Sequence, residues 1–300
     1  MALRGVVTPI LTPFEADGSI AIDLWVAHAR WLLEEGTHFL SPFGTTGEAL
    51  SVSSKARMAA VEALVSAGIP ADRLIPGTGL CALEETRALT AHARDLGCAG
   101  AMTLPPFFYT GASEDGLVRF FDALIAAEGR PGFAFVLYHI PSHAGVGISP
   151  SLAARLHKAH PEQIAGYKDS SGDWENTVAV IEAAPGLSVF PGSEAFLSKG
   201  WPLGAAGCIS ATCNINAGQI RRLFDALDAG TASESLDAEV KEVRGIIQGA
   251  GLIPAMKSLL AHRLGEPRWL NTRPPLMPVD AALGPAIAEQ LGQVASHVAA

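Results

Sequence analysis

Apolar runs of four to ten residues alternate with amphipathic stretches of ten to fifteen along most of the chain. The runs are Gly5–Phe14, His38–Phe43, Arg73–Gly77, Ala99–Leu104, Phe133–Tyr138, Ile164–Asp169, Leu187–Phe190 and Gly207–Thr212. Short continuous apolar runs suit strands buried on both faces, and the segments between them repeat at the helical period. Asp23 to Glu35 predicts a helix with Leu24, Ala27, Trp31 and Leu32 on one face. Helices are likewise expected over about Ser53–Ser66, Leu83–Leu96, Glu114–Ala127, Pro150–Lys158 and from an N-cap at Asp173 to Ala183. About eight β-then-α units at near-regular spacing predict an α/β fold, a closed (β/α)8 TIM barrel. An open doubly wound sheet rarely needs so many consecutive units, and no GxGxxG turn follows the first strand.

From about Gln219 the strands stop, and Leu223–Ala229, Ser233–Gln248, Pro254–Arg263 and Asp280–Val298 all have a helical pattern. The division expected is a barrel over residues 1–230 and a C-terminal helical appendage over 231–300 packed against it. With 49% hydrophobic residues in 300 there is ample material for a large core. No apolar run approaches the ~20 residues that span a bilayer, so no membrane partner is expected. The N-terminus lacks the pattern of a secretory signal. A net charge of −9 argues against a nucleic-acid partner. Cys81, Cys98, Cys208 and Cys213 form no CxxC pair, which favours free thiols in a reducing, cytoplasmic setting without zinc.

The candidate chemistry gathers where strands end. Burying an ammonium disfavours its charged form, and a neutral amine can attack a carbonyl. Lys168 lies inside an apolar strand-like run, whereas Lys55, Lys158, Lys199, Lys241 and Lys257 fall in helical or loop stretches where solvated heads are expected. The alternative is a lysine that snorkels at a strand end. Tyr138 ends the preceding strand thirty positions earlier, one βα repeat, so a phenol and an amine would stand side by side if both point inward. Period-two alternation then turns Tyr167 outward into a packing role. Gly44-Thr45-Thr46-Gly47 is a turn able to cradle a carboxylate. An amine, a phenol and such a cradle are what Schiff-base chemistry on a 2-oxo acid requires. His139 and His143, four apart without a third ligand, make only a weak metal site, and either would more readily position an aldehyde.

Thr8-Pro9 with Thr12-Pro13-Phe14, Gly44-Thr45-Thr46-Gly47-Glu48, Tyr138-His139-Ile140-Pro141, Gly166-Tyr167-Lys168-Asp169-Ser170-Ser171-Gly172-Asp173 and Gly207-Cys208-Ile209-Ser210 with Asn214 occur in that order. Over essentially its whole length the chain resembles the dihydrodipicolinate synthase / N-acetylneuraminate lyase family. The resemblance implies a class I, pyruvate-dependent aldolase or lyase without metal or organic cofactor, commonly a homotetramer. It implies Lys168 as the Schiff-base lysine and Tyr138 as proton donor and acceptor. Thr45 would link to that tyrosine in a relay, Thr46 would bind the pyruvate carboxylate, and the carbonyl of Ile209 would face bound pyruvate.

Two departures narrow the second substrate. Dihydrodipicolinate synthases place an arginine two positions beyond the YxxP proline, and this chain has His143 there. Their Pro-Tyr-Tyr pair is Phe107-Phe108 here, with Tyr109 one place further on. The sequence therefore looks like members acting on hydroxylated 2-oxo acids, of the 2-keto-3-deoxy sugar acid or 4-hydroxy-2-oxoglutarate type. 4-Hydroxy-tetrahydrodipicolinate synthase, joining pyruvate to aspartate semialdehyde, is the alternative of the same chemistry. A catalytically silent 2-oxo acid binder is the alternative of another class. Ser170, Glu194 and Ser210 could each hydrogen-bond substrate hydroxyls.

Overall fold

The computed structural model describes residues 3–298, with the side chains of 295–298 left undescribed. Seven strands are regular: β1 (Gly5–Thr8), β2 (Phe39–Leu40), β3 (Gly100–Thr103), β4 (Ala134–His139), β5 (Ile164–Asp169), β6 (Ser188–Pro191) and β7 (Gly207–Ile209). They form two parallel ladders, β2-β1-β7 and β3-β4-β5-β6. The expected strand at Arg73–Gly77 joins them on one side, reduced to bridges from Leu74 to Leu40 and from Gly77 to Met102. Pro76 has no N–H to give to a ladder, which is why this position never becomes a regular strand. On the other side the Ala206 N–H donates to the Val189 carbonyl at 2.9 Å. Eight strand positions thus close into a barrel, as the spacing predicts.

Alternation along the strands sorts the side chains into two layers. Val7, Ile75, Met102, Val136, Tyr138, Phe190 and Ile209 pack together inside the barrel. Val6, Leu40, Ala101, Phe135, Leu137, Tyr167, Val189 and Cys208 face the helical ring. Register pairs Val136 with Gly166 and Tyr138 with Lys168, so the phenol and the amine share the inner face at the C-terminal end of the barrel.

The ring contains α1 (Ile22–Glu34), α2 (Ser54–Ser66), α3 (Leu83–Asp95), α4 (Glu114–Glu128), a one-turn α5 (Pro141–Ala144), α6 (Pro150–Ala159), α7 (Trp174–Ala183), a one-turn α8 (Leu197–Gly200) and α9 (Cys213–Asp228). Ser53, Ser149 and Asp173 cap the helices that follow them, each accepting a backbone N–H. Two expectations shift. The buried stripe of α1 is Trp25, His28, Ala29 and Leu32, with Ala27 exposed. A buried histidine hides that stripe from hydropathy, because its partner Asn214 is far away in sequence (3.0 Å). The last strand stops at Ile209 and α9 begins at Cys213, ten residues before the expected Leu223. Small polar residues fill that first turn, where buried Asn214 accepts from Leu11 N–H and donates to the carbonyls of Pro9 and Ala211.

The remaining helices are α10 (Glu234–Gly249), α11 (Ile253–Leu264) and α12 (Leu283–Val298). Val243, Ile247, Met256, Leu259, Trp269 and Ile287 pack with Leu11, Ala211 and Ile215, residues just beyond β1 and β7. The helical segment is thereby seated on the same end of the barrel as Tyr138 and Lys168. Lys257 departs from the expectation of a solvated head. Its side chain is fully buried and donates to Glu48 and, at 2.8 Å, to the Asn271 carbonyl.

Candidate active site

A cavity of about 470 Å³ opens at this end of the barrel. Its lining includes Thr45, Thr46, Tyr138, Lys168, Ser170, His143 and Ile209, seven of the nine residues singled out from the sequence. Lys168 is 4% exposed, and its Nζ lies 4.3 Å from the centroid of the Tyr138 ring. The Tyr138 hydroxyl is 3.1 Å from Thr45 Oγ1. Amine, phenol and threonine hydroxyl therefore lie together in the cavity lining.

The Thr45–Thr46 turn is held by the fold on every side. Phe43 and Glu48 both have positive φ, at 59° and 55°. Gly47, Glu48 and Ala49 donate back to Gly44 and Thr45 carbonyls at 3.0–3.3 Å. The N–H groups of Thr45 and Thr46 have no protein acceptor among the described residues, which leaves them for an anionic ligand. Only glycine fits at 47, since a Cβ there would sit 2.8 Å from the Ile10 carbonyl oxygen. Glu48 closes the turn by pairing with Lys257 of α11, whose ammonium is pulled down by burial against the opposing pull of Glu48.

Ser170 reaches the cavity because Asp169 ties up the turn behind it. Asp169 accepts from Ser171 at 2.6 Å, Asn176 at 2.8 Å and Thr177 at 2.7 Å, and the Ser170 N–H donates to the His139 carbonyl at 2.8 Å. Tyr167 points outward as expected and donates to the Ile148 carbonyl at 2.7 Å; burial pushes its hydroxyl up. His139 follows the same outward parity. It stacks on Tyr167, accepts the Ile148 N–H at 2.9 Å, and burial pulls it down, so it positions a loop and not an aldehyde. His143 lines the cavity rim from α5, exposed, with Nδ1 3.0 Å from Ser142 Oγ. Among the described residues no cluster of three His, Cys, Asp or Glu could hold a metal, and all four cysteines are free.

Glu194 and Ser210 do not line the cavity. Both are fully buried and bonded to each other, and Glu194 also accepts from Thr212. Their hydrogen-bonding groups are taken up within the protein. Arg244 stands in front of them, from α10, with Gln248, Leu252 and Ile253 completing that wall. Nothing in the local pattern of α10 marks Arg244, because only the packing of the helical segment over the barrel brings it there. A second, apolar cavity of about 320 Å³ adjoins the first and shares Thr45, Tyr138, Ile140 and His143.

The model of the dihydrodipicolinate synthetase family matches residues 2–294. The chain belongs to that family. A DapA-like lyase of Chloroflexus aurantiacus, itself uncharacterized, is 34% identical over 92% of each chain. The 4-hydroxy-tetrahydrodipicolinate synthase of Thermus thermophilus is 32% identical, covering 98% of this chain and 96% of its own. Dihydrodipicolinate synthase from Agrobacterium tumefaciens superposes with a TM-score of 0.88 at 30% identity, over 97% of this chain and 99% of that one. Members of the dihydrodipicolinate synthetase family are lyases and synthases built on the TIM barrel, and the fold described above is that barrel with C-terminal helices.

Proposed function

We propose that the protein is a Schiff-base aldolase that cleaves or forms a hydroxylated 2-oxo acid with pyruvate as the common half. The observation that supports it best is Lys168 Nζ seated 4.3 Å over the Tyr138 ring, with that phenol 3.1 Å from Thr45 Oγ1. In cleavage, the Lys168 amine adds to the C2 carbonyl and water leaves, giving an iminium. Tyr138, relayed through Thr45, takes the proton of the C4 hydroxyl. The C3–C4 bond breaks, its electron pair moves into the iminium, and the aldehyde departs. The enamine is then protonated at C3, and hydrolysis returns pyruvate and the free amine. The Thr45 and Thr46 N–H groups hold the C1 carboxylate throughout, and the Ile209 carbonyl borders the pyruvate site.

The reaction on this reading consumes no cofactor. His143 in the arginine position, exposed on its short helix, weighs against aspartate semialdehyde as partner. Release of pyruvate from 4-hydroxy-2-oxo acids, followed with lactate dehydrogenase, tests the proposal. Turnover by the wild type and none by Lys168→Ala is expected. Pyruvate binding without turnover of any such acid would favour a silent binder, and efficient turnover of aspartate semialdehyde would favour the synthase. We infer from the family a homotetramer. Phe108 and Tyr109, 76% and 69% exposed and stacked edge to face, are available for contact between copies. Sedimentation velocity checks the assembly.

A further inference from the structure

Arg244 is unexplained by the chemistry above, and its guanidinium is held by three protein partners. Its Nη1 donates to Ser210 Oγ at 3.1 Å and to Glu194 at 3.3 Å, and its Nε donates to Gln248 Oε1 at 3.0 Å. Those bonds hold the guanidinium plane, and its side chain is 13% exposed on the cavity wall. The other amino group, Nη2, has no acceptor among the described residues. A nearly buried guanidinium with unused donors at a ligand cavity is a pre-organised anion-binding site.

The other basic side chains on the lining are accounted for. Lys168 is consumed by the iminium, and His143 is exposed at the rim. The Thr45–Thr46 turn, following β2, takes the carboxylate of the pyruvate half. Arg244 stands with Gly192, Ser193, Phe196 and Ala211, beyond the ends of β6 and β7, on a different side of the mouth. Lys168, Thr46 and Arg244 line one and the same cavity.

We propose that Arg244 binds a second carboxylate, at the far end of the aldehyde half, and makes the enzyme selective for dicarboxylic 4-hydroxy-2-oxo acids. Glu194 and Ser210 hold Nη1 and Gln248 holds Nε, which leaves Nη2 to the ligand. A carboxylate accepts charge-assisted bonds there, whereas a terminal hydroxymethyl group offers only neutral ones. The predicted discrimination is roughly 10- to 100-fold in kcat/KM.

This inference rests on the aldolase reading, and the experiment separates the two. The wild type is assayed with acids matched in length and differing only at the end. 4-Hydroxy-2-oxoglutarate is set against 4,5-dihydroxy-2-oxopentanoate, and 4-hydroxy-2-oxoadipate against 4,6-dihydroxy-2-oxohexanoate. Preference for the carboxylate at one length or both is expected, and equal or reversed preference at both lengths overturns the proposal. Arg244→Gln is expected to erase the preference mainly through KM, with Arg244→Lys intermediate. Loss that is equal for both members of a pair would show a purely structural role and overturn it too. Because Arg244→Gln strands a buried carboxylate, Arg244→Gln with Glu194→Gln provides the charge-balanced comparison. Borohydride trapping of pyruvate accompanies every variant. An adduct without carboxylate preference removes only the role of Arg244, while a wild type that forms no adduct removes the aldolase reading and this inference with it.

Discussion

Lys257→Met removes the cation that anchors Glu48 at the end of the Thr45–Thr46 turn. Both side chains of the Lys257–Glu48 pair are inaccessible, at 0% and 1%. Losing one partner leaves Glu48 charged in a site without solvent, which costs about 3–5 kcal/mol. A solvated pair would contribute about 0–1 kcal/mol. For a protein of this size each kcal/mol moves Tm by roughly 2–4 °C, so a fall on the order of 10 °C is expected. Glu48→Gln added to Lys257→Met removes the stranded charge and should recover more than half of the loss. The assay is thermal and urea unfolding of the wild type, both single variants and the double variant, at fixed protein concentration. Because Glu48 closes the turn bearing Thr45 and Thr46, Lys257→Met should also raise KM for the 2-oxo acid. A Lys257→Met protein within about 1 kcal/mol of wild type would instead place the lysine head in water and contradict a buried pair.

Tyr138→Phe is expected to lower kcat by about 10²- to 10⁴-fold while pyruvate still becomes trapped on Lys168, measured by steady-state turnover and intact mass. Gly47→Ala should lower kcat/KM by about 10²-fold, because its Cβ would press on the Ile10 carbonyl and displace the cradle. His28 is buried and pulled down to about 4 by desolvation, against 6.5 when unfolded. Between those values the unfolded chain binds a proton that the folded one does not, so stability falls as pH drops from 6.5 toward 4. The loss amounts to about 3 kcal/mol from this residue, absent above pH 6.5. Half-buried His38, also pulled down to about 4, adds in the same direction. Urea midpoints across this range check it, and His28→Gln should flatten the slope.

The residues proposed to hold pyruvate are written locally in the chain, which is why they can be picked out from sequence. Thirty residues from Tyr138 to Lys168 make one repeat, and the ladder pairs those two residues directly. The GTTGE turn is a contiguous stretch whose backbone geometry its own glycines support. The misreadings share a different cause: each involves a partner distant in sequence. Lys257 has the helical spacing of a solvated lysine, and only Glu48, on the other side of the fold, makes it a buried ion. Glu194 and Ser210 carry groups suited to a hydroxylated ligand, and Arg244 and Thr212 occupy them instead. Periodicity reports which face of an element is buried and is silent on what it meets there. The stripe of α1 fails for the same reason, through the bond between His28 and Asn214.

The proposed function turns on a covalent role for Lys168. Incubation with pyruvate and borohydride, followed by proteolysis and peptide mass mapping, measures it directly. The expected result is one irreversible pyruvyl adduct per chain, on Lys168 and not on the buried Lys257. An adduct on another lysine, or none, would contradict it.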